Sequence, residues 1–388
     1  MIYSIPYLIF LFFFLFLAVV ISERKEDEQL CHNLEKLGIA SFLVFFGCRG
    51  YIWHDWMVYV PNFDKATWSD LVNYNYFKHQ EPLWFVFQLT CKTFINSYPA
   101  FAFICTIVNT VLLVRFFKRY SINLMFALAT YVAFSGFEIS INLIRNSMAM
   151  FIVLNAIPYI EEKKIGRYML ACAVASGIHL SSLIYIPLYF ILNRNINRWV
   201  FIGLVVVCNA ILFSNIALVL KLIESIGFDN EILEAKIETY SGFGMVGGSR
   251  FLLLQRFMIC LMVFCYYDRL KELSPHNRMF INALLIYIVG SYLTSEFSEM
   301  SNRIGILFSF PFWILCGYII KCFYYDNNRR LFMAFLGFVF VFNTYINTAE
   351  QIKEYQSWLI GTAESYEAKR NFFNKNFMEQ KQINSSKK

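Results

Sequence analysis

The sequence predicts an all-α, polytopic membrane protein of about 10–12 transmembrane helices. Three observations carry that expectation. The chain is 58% hydrophobic with only 16% charged residues, and its mean hydropathy is +0.50, well above a soluble domain. Apolar runs recur along it, most of them long enough to approach the hydrocarbon core of a bilayer. Basic clusters fall between those runs, the pattern that sets topology in membrane proteins.

The first run, 3–21, has no basic segment ahead of it and exceeds a signal-peptide core, so it reads as a retained first helix. The others lie at roughly 38–53, 83–97, 99–117, 122–139, 141–160, 167–192, 199–220, 251–267, 279–296, 303–322 and 331–347. Two of them are unlike simple spans. Run 83–97 is short and holds Gln88 and Lys92, which suits the interface. Run 167–192 is interrupted by "SGIHLSS" and reads as one long helix or as two short ones.

Basic clusters occur at Arg24/Lys25, Arg115/Lys118/Arg119, Lys163/Lys164/Arg167, Arg194/Arg198, Arg269/Lys271/Arg278 and Arg329/Arg330. All fall on the cytoplasmic side if 83–97 does not cross and 167–192 is a re-entrant hairpin with its tip at His179. Each arm, about 13 residues, is then about 20 Å long by helical rise. This scheme gives about ten crossings, with the N-terminus and the loops 54–82 and 221–250 outside. Residues 1–347 form one membrane domain in this reading. Residues 348–388 are a charged, partly disordered tail, whose basic residues argue for the opposite side.

The net charge of +7 encodes topology rather than nucleic-acid binding. The ten cysteines sit mostly in apolar runs without C-x-x-C spacing and read as small core residues. No metal-ligand spacing, Walker motif or G-x-S-x-G motif is present, and no cofactor is expected.

The remaining polar residues form constellations. Glu138, Asn142 and Arg145 are spaced i, i+4, i+7, one face of a continuous helix. An intramembrane arginine is expensive and marks function, and its planar fork suits phosphate. The alternative is an internal Glu138–Arg145 ion pair. His179 is the only histidine inside an apolar run; a neutral imidazole suits general-base work, or simply a bond to a nearby carbonyl. In "SEFSEMSNRIGILF", Glu296, Glu299 and Arg303 recur at helical spacing beside Asn302, as a second cationic site at the outer face or as helix-end pairing. The first outer loop is rich in Trp and Tyr and contains Asp55, Tyr59, Asp64 and Glu81, a composition that grips sugars and also forms interfacial belts. The glycines of 237–250 suggest a mobile loop, and Arg250 either meets a ligand or marks a helix start.

These pieces together resemble the EpsG family of Wzy-type polysaccharide polymerases. "GYIWHDWMVY", "KHQEPLW", "NLIRNSMAM", "GIHLSSLIYIPLY" and "SNRIGILF" are similar to that family's motifs and occur in its order. The bulky "HDW" before Asp55 departs from its pattern, as does the Gly-rich 241–248 loop. The resemblance implies a bacterial inner-membrane enzyme with a membrane glycosyltransferase-like fold. It also implies metal-independent glycosyl transfer between undecaprenyl-diphosphate-linked oligosaccharide donor and acceptor, with membrane lipid and a chain-length regulator protein as partners. In that chemistry Arg145 and Arg303 bind the diphosphate, and His179 is the first choice of base, with Glu138 second. Asp55, Tyr59, Glu81, Asn142, Asn302, Glu299 and Arg250 then contact substrate. Three rivals remain: a polyprenyl-phosphate-sugar transferase, which usually has an acidic pair in the first outer loop; a lipid-linked oligosaccharide flippase, which often has internal repeats; and a membrane O-acyltransferase.

Overall fold

A computed structural model describes residues 2–75, 80–213, 250–294 and 298–375. Among these, all regular elements are helical; a single antiparallel bridge joins Arg49 and Ser357. The protein is a polytopic, all-α membrane protein. Among the described residues, four helical stretches are long and apolar enough to cross a bilayer: Ile2–Glu23, Tyr98–Tyr120, Leu124–Ile141 and Asp326–Thr348. The pair Ser301–Leu307 and Phe310–Cys322, bent by 53°, is a broken span or a re-entrant loop, and brings the count to five if it is one span. This count covers the described residues alone, whereas the expected 10–12 covers the whole chain. Several apolar runs are broken by local chemistry into helices too short to span alone, and part of the 199–220 run lies outside the described residues.

The described chain divides into two compact units. The first takes residues within 1–119, 123–186 and 341–388. Its helix α1 (Ile5–Glu23) starts on Pro6, which is preorganised for a first turn, and buries Tyr7, Phe10, Phe14 and Leu17. The opposite stripe, Ile5, Ile9, Phe12, Phe16 and Val19, is equally apolar but exposed, as a lipid-facing helix requires. Helix α2 (Glu28–Gly47) is capped by Asp27, whose carboxylate accepts from the Leu30 N–H. The described part of the 54–82 loop holds two short helices, α3 (Trp56–Lys65) and α4 (Trp68–Val72), and the short apolar run after it forms α5 (Pro82–Phe94). At 13 residues, α5 is about 20 Å long, too short for a bilayer core of about 30 Å. Its polar residues have structural work: Lys92 Nζ donates to the Asp64 and Ala66 carbonyls at the end of α3, and Gln88 donates to the Asn62 carbonyl.

Helix α6 (Tyr98–Tyr120) is continuous. The next apolar stretch is α7 (Leu124–Tyr131), a kink at Phe134–Ser135 with Ser135 at φ 71, then α8 (Phe137–Ile141). The 141–160 run is not one helix. It breaks at Asn142–Leu143, forms α9 (Ile144–Leu154), breaks again near Asn155, and ends in α10 (Ile157–Glu161), which opens on Pro158. Asn155 satisfies the second break by donating to the Leu112 and Phe151 carbonyls.

The 167–192 run folds as a hairpin. Helix α11 (Ile165–Ile178) ends at His179, whose backbone is extended, and a 3-10 turn covers Leu180–Tyr185. The Tyr168 hydroxyl donates to the Tyr185 carbonyl at 2.8 Å across 17 residues. A straight helix would separate them by about 25 Å, so the chain reverses at His179.

The described tail belongs to the first unit. Gly50 N–H donates to the Gln356 carbonyl and Trp358 N–H to the Cys48 carbonyl, both at 2.8 Å. The Tyr355 ring stacks on Phe45 at 4.3 Å. The described tail therefore packs against the end of α2 and the segment that leads into the 54–82 loop.

The second unit takes residues within 120–122 and 187–340. It contains α12 (Leu188–Ile191), α13 (Arg198–Phe213), α14 (Arg250–Cys265), α15 (Tyr267–Leu273), α16 (Asn277–Leu293), α17 (Ser298–Leu307), α18 (Phe310–Cys322) and most of α19 (Asp326–Thr348). Helix α16 is buried almost all round. Its Asn282 donates to the carbonyls of Leu192 and Arg194, and Tyr292 donates to Asn209 on α13. Buried amides thus fasten loops that hydrophobicity alone leaves loose.

Candidate functional site

The site is assembled in the first unit at the break before α9. Asn142 sits in that break, and Arg145 falls in the first turn of the new helix. The helix N-terminus carries the positive end of the backbone dipole, so a cation there is disfavoured unless an anion answers it. The answering group is Glu81: Arg145 Nη1 donates to Glu81 Oε2 at 2.6 Å. The expected helical face of Glu138, Asn142 and Arg145 is not realised, because the helix stops between them. The arginine's ion pair is with Glu81, not Glu138.

Glu81 reaches the site because Pro82 starts α5 directly after it. Its other oxygen meets the hairpin tip. Oε1 lies 2.8 Å from His179 Nδ1 and accepts from the Leu180 N–H at 3.1 Å. One carboxylate therefore holds the arginine, the histidine and the open start of the 3-10 turn. All three side chains keep a little exposure: Glu81 12%, Arg145 19% and His179 24%. Burial pushes the Glu81 carboxyl up. The hydrogen bonds from His179, its own amide and Leu180, with the Arg145 charge, outweigh that and hold it down at about 2. Glu81 is thus ionised and can only accept. It fixes the neutral imidazole as the Nδ1–H tautomer and leaves Nε2 as the basic nitrogen. Among the described residues Nε2 has no hydrogen-bond partner.

Close packing makes this possible. A Cβ on Gly177 would lie 2.6 Å from the Leu83 side chain. Glycine two residues before His179 lets α11 approach the start of α5.

The 54–82 loop adds further contacts to the site. The Asn142 side-chain oxygen accepts from the His54 and Asp55 amides at 3.2 and 2.9 Å. The Arg145 guanidinium lies over the Tyr59 ring at 5.5 Å, a cation–π contact. The Tyr59 hydroxyl donates to Asp55 at 3.5 Å. Burial and the Asp55 charge push the Tyr59 phenol up to about 12 against the pull of Arg145, so it stays protonated. Arg145 Nε, the Trp84 indole N–H and the Ser181 and Ser182 hydroxyls are buried without a partner among the described residues.

The structure thus brings together Arg145, His179, Glu81, Asn142, Asp55 and Tyr59. Glu138, half-buried on α8, is one turn before Asn142, and its carbonyl accepts the Asn142 N–H at 2.9 Å. Arg303 and Asn302 are exposed on α17 of the second unit. The side chains of Arg250 and Glu299, and all of Glu296, lie outside the described residues. Arg49 was not singled out in the sequence. It is buried, donates to the Phe46 and Ile141 carbonyls and to Thr106, and so fixes the end of α8 just before Asn142. A basic residue inside "FFGCRGYIW" was the available signal. Among the described residues, no group of three His, Cys, Asp or Glu is arranged to hold a metal ion.

The EpsG family model matches residues 37–357. That range covers every site residue above. No curated protein and no solved structure matches the chain.

Proposed function

The chain belongs to the EpsG family, and on that premise we propose that it polymerises undecaprenyl-diphosphate-linked oligosaccharide repeat units at the outer face of the bacterial inner membrane. Family membership supports a polysaccharide-polymerase role in general. The finer reading rests on one observation, the Glu81 carboxylate bridging Arg145 and His179.

Polymerisation joins an acceptor sugar hydroxyl to the anomeric carbon of a donor and releases a lipid diphosphate. The acceptor O–C1 bond forms, the C1–O bond to the diphosphate breaks, and the hydroxyl proton needs a base. His179 Nε2 takes that proton, while Glu81 holds the ring and stabilises the imidazolium that forms. This is the orienting role of a carboxylate behind a catalytic histidine. Arg145 has Nε unanswered and stands ready for the diphosphate oxygens, where fixed positive charge lowers the barrier as the leaving group departs. Tyr59 and Asp55 line the sugar side. The diphosphate is already a good leaving group, so no step requires a metal.

The test is turnover by the purified protein in nanodiscs, with undecaprenyl-diphosphate-linked oligosaccharide as donor and acceptor and a chelator present. The reading expects a ladder of products spaced by one repeat unit. Addition of a single sugar from a polyprenyl-phosphate donor, or transbilayer movement without polymer, would replace it.

A further inference from the structure

Trp53, just ahead of the 54–82 loop, is a bulky residue held in the left-handed region, at φ 67. Large side chains avoid that conformation, and it persists only where surrounding contacts impose it. The tail holds it here together with the Trp56 indole, which donates to the Trp53 carbonyl at 3.0 Å. Trp53 N–H donates to the Ile352 carbonyl at 3.4 Å, and the Lys353 ammonium lies over the Trp53 ring at 5.6 Å. The backbone is pinned just upstream by the Arg49–Ser357 bridge. Downstream, the His54 ring meets Phe373 edge-on at 5.3 Å, and Tyr366 meets Trp56 at 5.6 Å.

Trp53 directly precedes the two amides that Asn142 accepts. Contacts therefore run without a gap from the tail, through Trp53 and the His54 and Asp55 amides, to Asn142 at the break that starts the Arg145 helix. We propose that residues 350–373 are a positioning element of the site: by holding the Trp53 turn they seat His54 and Asp55 on Asn142 and so set the loop against Arg145. Its consequence for activity rests on the polymerase reading; the coupling itself does not.

Gly50 offers a way to test this without touching the site. A Cβ there would lie 3.0 Å from the Ala363 Cβ and 3.1 Å from the Gln356 Cβ, so Gly50→Leu pushes the tail away. Phe373→Ala with Tyr366→Ala loosens it from its own side, and Phe373→Tyr with Tyr366→Phe serves as the conservative control. Two quantities are read on the full-length protein: amide hydrogen exchange without substrate, and KM and kcat for polymerisation. We expect Gly50→Leu and the double alanine variant to speed exchange at the 53–55 amides at least tenfold, with exchange in Ile165–Ile178 unchanged. We also expect kcat/KM to fall about tenfold, with activity retained in the conservative control. Unchanged exchange at 53–55 in both variants overturns the proposal. So does faster exchange with wild-type kcat/KM. Faster exchange in a protein whose wild type makes no polymer supports the coupling and counts against the polymerase reading alone.

Discussion

Glu81 and Arg145 stand 64 residues apart in the chain and 2.6 Å apart in the fold. This pair answers the question that an arginine in an apolar run raises. Arg145 is neither buried unpaired nor braced by its helical neighbour Glu138. It stands at a helix start, where a cation is disfavoured, and the Glu81 carboxylate at the start of α5 offsets it.

Glu81→Gln keeps the shape of the side chain and removes its charge. The amide can still accept one bond but cannot hold both the guanidinium and the imidazole as an anion. We expect polymerisation to fall by roughly 10²-fold or more, the scale of losing an oriented general base, at normal protein abundance. Quantitative glycan electrophoresis of matched membranes measures it.

Arg145→Lys is expected to fail as a replacement. An ammonium is a point charge on a flexible stem and cannot serve Glu81 and a diphosphate through one planar fork. Activity should drop by roughly 10²-fold, the usual scale for removing one preorganised donor from a charge-stabilising site. Initial rates of the purified variant decide it.

The carboxyl of Glu81 also predicts a pH dependence of stability. Its value is depressed from an ordinary 4.5 to about 2. A depressed acid binds its proton less readily folded than unfolded. Its stabilisation is complete above about 4.5 and disappears as pH falls toward 2. Thermal unfolding should therefore show wild type more stable than Glu81→Gln at pH 6, by at most about 3 kcal/mol, with the two curves drawing together as pH falls through about 2.

Gly177→Ala should lower activity about tenfold by forcing α11 away from Leu83 and stretching the Glu81–His179 bond. Leu83→Ala removes the clash. The double variant should recover much of the loss, a coupling that a double-mutant cycle on kcat/KM reads directly.

Much of the class was legible in the sequence because hydropathy and helical propensity are local. So were the shortness of α5 and the reversal at His179, since Gln88, Lys92 and "SGIHLSS" break the apolar pattern. The span count was less legible. A run such as 141–160 has the same composition whether it is one helix or three pieces, and only the amide work of Asn142 and Asn155 separates the cases. The candidate site was legible residue by residue but not as pairs. Arg145, His179 and Glu81 each stood out, yet nothing in a linear chain says that residues 64 and 98 positions apart share one carboxylate. The break at Asn142 removed the helical face that had made Glu138 the natural partner. Arg49 and Gly177 act through contacts with distant helices and leave no periodic mark.

The central claim is tested most directly by the chain-length profile of surface glycan in cells whose sole copy carries Arg145→Ala, beside wild type at equal membrane abundance. The account predicts that long chains disappear and glycans of a single repeat unit accumulate. Wild-type chain length in the Arg145→Ala strain would contradict it.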